Sequence, residues 1–145
     1  YVRQMEPEQL YDSLLVATKA DQSESAGGQD RWLSQFVIAF GTDEGDSSTT
    51  FNGTIPQILM LFNGDLIQAA TSLDQDGFLD RIVAADQTNR DKINALYVAA
   101  LARWPSSSEL RHANHLLLAR KGQVKEALQD IWWALLNSNE FILNH

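Results

Sequence analysis

The sequence predicts an all-α fold: one compact helical domain over residues 1–145, built from about six or seven helices with two irregular acidic or polar loops. Three observations carry that expectation. Apolar residues recur at helical spacing at least six times along the chain. Residues that start and stop helices stand at the ends of those runs. Strand signals are confined to one short stretch.

The first run places Tyr11, Leu14, Leu15 and Thr18 on one face, with Pro7 where a first helical residue belongs. Leu33, Phe36, Val37 and Phe40 repeat the spacing, and Gly41 closes that helix. The segment Ser48-Ser-Thr-Thr-Phe51, followed by Asn52-Gly53, has hairpin character, but Pro56 arrives too soon for a central second strand. A turn leading into a helix is expected instead. That helix is marked by Ile58, Leu61, Phe62 and Leu66, with Thr54 as N-cap and Pro56 in the first turn. Asn63-Gly64 within it predicts a kink or break.

The longest pattern is Ile93, Leu96, Tyr97, Ala100, Leu101 and Trp104, ended by Pro105. Ser106 followed by Glu109 has capping-box spacing, which predicts a further helix from there to about Lys121. Gly122 breaks the chain. Leu128, Ile131, Trp132, Leu135 and Leu136 then mark a last long helix. Each apolar face requires a partner, because amphipathic helices gain most of their stability from packing.

Composition narrows the chemistry. Hydrophobic residues are 44% and charged residues 21%, which is globular rather than disordered. Eleven bases against nineteen acids give a net charge of −8, which repels phosphate backbones and anionic surfaces, so nucleic acid is not an expected partner. The absence of cysteine excludes disulfides, thiol catalysis, cysteine-ligated zinc and c-type haem attachment within the chain. No stretch reaches the roughly 18 consecutive apolar residues of a membrane span. Tyr1-Val-Arg-Gln-Met5 carries neither an initiator Met nor a signal-peptide pattern, and the chain is expected to be a segment of a longer one. Residues 21–53 hold six acids and one base, a net of −5, and within that window lie two irregular Gly-, Ser-, Asp- and Thr-rich stretches at 21–29 and 41–53.

Three clusters are candidates for metal ligation. Asp74, Asp76 and Asp80, with Gly77 and Leu79 between them, resemble the middle of a calcium-binding loop. Ser72 takes the first ligand position, however, and Val83 stands where a bidentate Glu closes such a loop, so the expectation is an acidic helix–helix turn. Asp43, Glu44 and Asp46 gather three carboxylates beside Ser47, Ser48, Thr49 and Thr50, an oxygen-rich set suited to a hard cation or simply to solvent. His112 and His115 share a helix face with Glu109, yet two imidazoles need a third and usually a fourth ligand.

No catalytic residue is singled out. The chain has no Gly-x-Ser-x-Gly elbow and no phosphate-cradling glycine loop. Trp132 falls among Leu128 and Leu136 and is expected in the core. Trp133 lies about 100° further round the helix, under a loop, against another helix or at an interface. Asp130, two residues before Trp132, is expected to cap or pair locally.

The closing run Ala127-Leu-Gln-Asp130-Ile-Trp132-Trp-Ala-Leu-Leu-Asn137-Ser-Asn-Glu140-Phe141-Ile-Leu-Asn144-His145 is distinctive. Three other segments accompany it: Gln4-Met-Glu-Pro7-Glu-Gln-Leu10-Tyr11-Asp-Ser-Leu14, Thr54-Ile-Pro56-Gln-Ile58-Leu-Met-Leu61-Phe-Asn63-Gly64, and Leu96-Tyr97-x-x-x-Leu101-x-Arg103-x-Pro105-x-x-x-Glu109-Leu110. Taken in chain order they resemble the planctomycete-type, cytochrome-c-associated family of unknown function, whose C-terminal domain is labelled PSD. The likeness spans residues 4–145. It implies that this is the C-terminal segment of a large exported bacterial protein, hence extracytoplasmic, often with a haem domain elsewhere and no cofactor in this segment. No catalytic or haem-ligand residue is carried over. Residues 42–50 lack the bases relatives often carry there, and Ile58 replaces a usual Ala.

The expected function is therefore a non-catalytic helical association or scaffold domain. It would pack against neighbouring domains of the parent chain, or another protein, through Trp133, Phe141 and Ile142. The alternative is an extracellular polymer (carbohydrate) binding or hydrolytic domain using surface carboxylates. That reading requires a concave pocket with two acidic side chains beside an aromatic platform.

Overall fold

The computed structural model describes residues 3–4, 7–18, 65–73 and 77–144, and over these the protein is an all-α domain. The expected helix at 33–40, the part of the next expected helix marked by Ile58, Leu61 and Phe62, the Asn63-Gly64 break and both irregular loops lie outside the described residues, while Leu66, the last marker of that helix, falls in the helix Asp65–Thr71. Helix α1 (Pro7–Thr18) opens on its proline, as expected. Its inward stripe is Leu10, Leu14 and Ala17, with Leu15 only partly covered and Val16 facing out at 76% exposure. Of the face expected from the spacing, Leu14 is buried and Leu15 partly so, and Leu10 and Ala17 extend the Leu14 stripe at spacings of four and three.

Helix α2 (Asp65–Thr71) begins directly after Gly64 and buries Ile67 and Ala70. The Thr71 hydroxyl donates back to the Ile67 carbonyl at 2.8 Å. Helix α3 (Phe78–Ala84) follows, with Gly77 as an extended N-cap that supplies no side-chain bond. Seven residues are too few for a clear periodic signal, which is why this helix did not stand out in the sequence. Phe78 and Leu79 bury, so the Leu that mimicked a calcium-loop position is a core residue.

Helix α4 (Asn89–Leu101) is capped by Thr88, whose hydroxyl oxygen accepts the Asp91 N–H at 3.2 Å. Ile93, Leu96 and Tyr97 bury as the spacing predicted. The helix ends at Ala102, a left-handed residue with φ 51°, three positions before Pro105. Trp104 is therefore outside the helix, and at 69% exposure it is a surface residue rather than the last member of the apolar stripe. Helix α5 (Ser107–Ala119) carries both halves of the expected capping box between Ser106 and Glu109. It ends at Ala119, and the chain reverses through Lys121 at φ 51° and Gly122 at φ 89°.

Helix α6 (Val124–Leu136) is the central element. It buries Ala127, Leu128, Ile131, Trp132, Leu135 and Leu136 and packs on α2, α3, α4, α5 and the short α7 (Asn139–Ile142). A two-residue antiparallel ladder, β1 (Arg3–Gln4) with β2 (Leu143–Asn144), pairs Arg3 with Asn144 and Gln4 with Leu143. It brings the two ends of the described chain together, a closure the helical periodicity does not foretell.

Two polar anchors fix the short helices onto the long ones. Trp132 is fully buried, stacks obliquely on Phe78 with ring centroids 5.1 Å apart, and donates its indole N–H to the Ala70 carbonyl at 3.1 Å. Three residues earlier, the Gln129 amide donates to the Thr71 carbonyl at 2.7 Å. Together they satisfy carbonyls at the C-terminal end of α2, which an isolated helix leaves unpaired. Lys92 does the same for α3: its stem is buried and its ammonium donates to the Val83 carbonyl at 2.7 Å.

Candidate functional site

The densest polar arrangement in the described structure forms where α4 gives way to α5. Past Ala102, Arg103 turns its guanidinium back between two glutamates. Nη1 and Nη2 donate to Glu109 at 3.0 and 2.8 Å. Nε and Nη2 donate to Glu140 at 2.5 and 2.7 Å. The remaining Nη1 hydrogen goes to the Trp104 carbonyl at 3.1 Å. A guanidinium has five N–H donors, so this one is saturated. Its carbon also sits 5.8 Å from the centre of the Tyr97 ring. One side chain thereby joins the end of α4, the start of α5 and the start of α7.

The electrostatics follow from this geometry. The Arg103 fork, reinforced by the Ser106 backbone N–H at 2.7 Å, lowers the Glu109 carboxyl to about 2. Bonds from Glu140 and Glu109 raise the guanidinium still further above its ordinary value. Burial raises the Tyr97 phenol, and the Glu109 charge adds to that shift.

Beside this clamp lies a groove of about 340 Å³ between α4, α5, α6 and α7. Its floor is apolar, from Leu101, Ala113, Leu116, Ile131 and Leu135, and its rim carries Tyr97, Glu109, His112, Asp130, Ser138 and Glu140. Three carboxylates and an aromatic ring at one concavity is the arrangement the polymer-hydrolysis reading asked for, although none of these acids belongs to residues 42–50 or 74–80. All three are held by arginine: Glu109 and Glu140 by Arg103, and Asp130 by Arg120 at 2.8 Å. Glycoside hydrolysis needs one carboxyl that keeps its proton near neutral pH. The Arg103 clamp does the opposite to Glu109.

The expected ligand clusters fare as follows. Asp43, Glu44, Asp46, Asp74 and Asp76 lie outside the described residues. Asp80 occupies the first turn of α3. His112 and His115 are both exposed on α5, with His112 at the groove rim. Glu109, the third ligand their spacing suggested, is committed to Arg103 and Ser106. Among the described residues no group of three His, Cys, Asp or Glu side chains is placed to hold a metal ion. Asp130 pairs locally, with Arg120.

The expected interaction residues are redistributed. Phe141 and Ile142 are 5% and 4% exposed, so they are core and not a docking surface. The Ser138 hydroxyl accepts the Phe141 N–H at 3.2 Å, which turns α7 inward. Trp133 stays at the surface, 36% exposed. Trp104 was missed, because Pro105 suggested a helix running up to it. The clamp was half legible: Arg103 stands six residues before the capping-box glutamate, but Glu140 lies 37 residues away.

Charge is also unevenly placed. Residues 77–145 hold Arg81, Arg90, Lys92, Arg103, Arg111, Arg120, Lys121 and Lys125 against Asp80, Asp86, Asp91, Glu109, Glu126, Asp130 and Glu140. That half carries a net charge of +1, so the first 76 residues carry −9. Among the described residues no helix is long and apolar enough to cross a membrane. No family model matches the chain, and neither a curated protein nor a solved structure does.

Proposed function

We propose that this segment is a non-catalytic helical association domain, and that it docks on neighbouring domains of its parent chain through the Trp104 surface. The observation that carries this reading is a bulky indole 69% exposed on a short connection held from both sides. Ala102 turns the chain, Arg103 binds the Trp104 carbonyl, Pro105 restricts the backbone, and Ser106 caps α5. A pre-ordered aromatic loses little freedom on binding, and tryptophan is the residue type most often found at the energetic centre of interfaces. Leu118, Val16, Val98 and Trp133 add further exposed apolar side chains. The setting, a large exported bacterial protein of the planctomycete-type family, rests on the sequence resemblance alone.

The test is to titrate this chain against the remainder of its parent protein by calorimetry. Replacing Trp104 with Ala should weaken binding at least tenfold, which corresponds to about 1.4 kcal/mol. Equal affinity of the two chains would overturn the proposal. The polymer-binding alternative draws on the same exposed indole as a stacking face. It gains ground if a soluble polysaccharide binds the unmodified chain and not the Trp104→Ala variant.

A further inference from the structure

We draw no further inference here: the strongest candidate, the apolar-floored groove between α5 and α6 beside the exposed Trp104, is an unpartnered face, and nothing in the structure shows what covers it.

Discussion

The indole N–H of Trp132 donates to the carbonyl of Ala70 across 62 positions of sequence, at 3.1 Å and in the middle of the core. Buried polar groups are tolerated when they find partners, and here the partner is a helix-end carbonyl that would otherwise be orphaned. The bond fixes how α6 lies across α2, and the Phe78 ring on the same indole fixes α3.

Trp132→Phe keeps an aromatic ring against Phe78 but leaves the Ala70 carbonyl unpaired. The expected loss is about 1–3 kcal/mol, the cost of a buried unsatisfied acceptor. Trp132→Ala adds a cavity and should cost about 3–5 kcal/mol. Urea denaturation monitored by circular dichroism measures both. A Phe variant as stable as the unsubstituted chain would show that the hydrogen bond does not organise the core.

Lys92→Met retains the buried stem and removes the ammonium from the Val83 carbonyl. The expected cost is about 1–2 kcal/mol, from the charged hydrogen bond and its favourable position at a helix C-terminus. A chain of this size should then melt about 2–4 °C lower per kcal/mol. An unchanged melting temperature would mean that water serves the carbonyl equally well.

These two anchors show how far the sequence could be read. The capping box at Ser106 and Glu109, the break at Gly122 and the burial of Trp132 were all legible, because each depends on residues within one or two turns. The anchors were not, since each joins side chains on one helix to backbone on another. The end of α4 was misplaced for a related reason. Its left-handed terminator is Ala102, and an alanine gives no sign of that conformation, whereas the glycine at 122 does. The inward turn of α7 depends on Ser138 and on the space beneath Phe141, neither of which periodicity reports.

The Arg103 clamp makes a pH prediction. Glu109 is lowered from 4.5 to about 2 in the folded protein. Its contribution is therefore present above the ordinary carboxylate range and lost as pH falls through that range toward 2. Comparing the unsubstituted chain with Glu109→Gln by urea midpoint should give a constant gap from pH 7 to about 5 that closes by about pH 2. Because these side chains are about a third exposed, solvent screening limits the gap to roughly 1 kcal/mol. A gap that widens with acidification would contradict the assignment.

Arg103→Lys preserves charge but not the fork. An ammonium has three donors and cannot grip two carboxylates bidentately while also holding the Trp104 carbonyl. Amide exchange at Trp104, Ser106 and the start of α7 should accelerate relative to the Trp132 core. Unchanged exchange would mean that the connection is held by its backbone alone.

Gly122→Ala tests the turn between α5 and α6. A methyl group there meets no atom within 4 Å, so the cost is confined to the backbone at φ 89°. About 1–2 kcal/mol is expected, the penalty of a side chain in the left-handed region. A larger loss would mean that the turn is packed rather than open.

The central claim is that Trp104 is a docking residue of a non-catalytic domain. In a chain carrying Trp32→Phe and Trp133→Phe, the remaining indoles are Trp104, 69% exposed, and Trp132, fully shielded. Iodide quenching should reach the Trp104 emission in this chain alone and, on the proposed function, lose access to it when the same chain stands within the larger protein that the proposal places it in. Equal quenching in both settings would contradict the account.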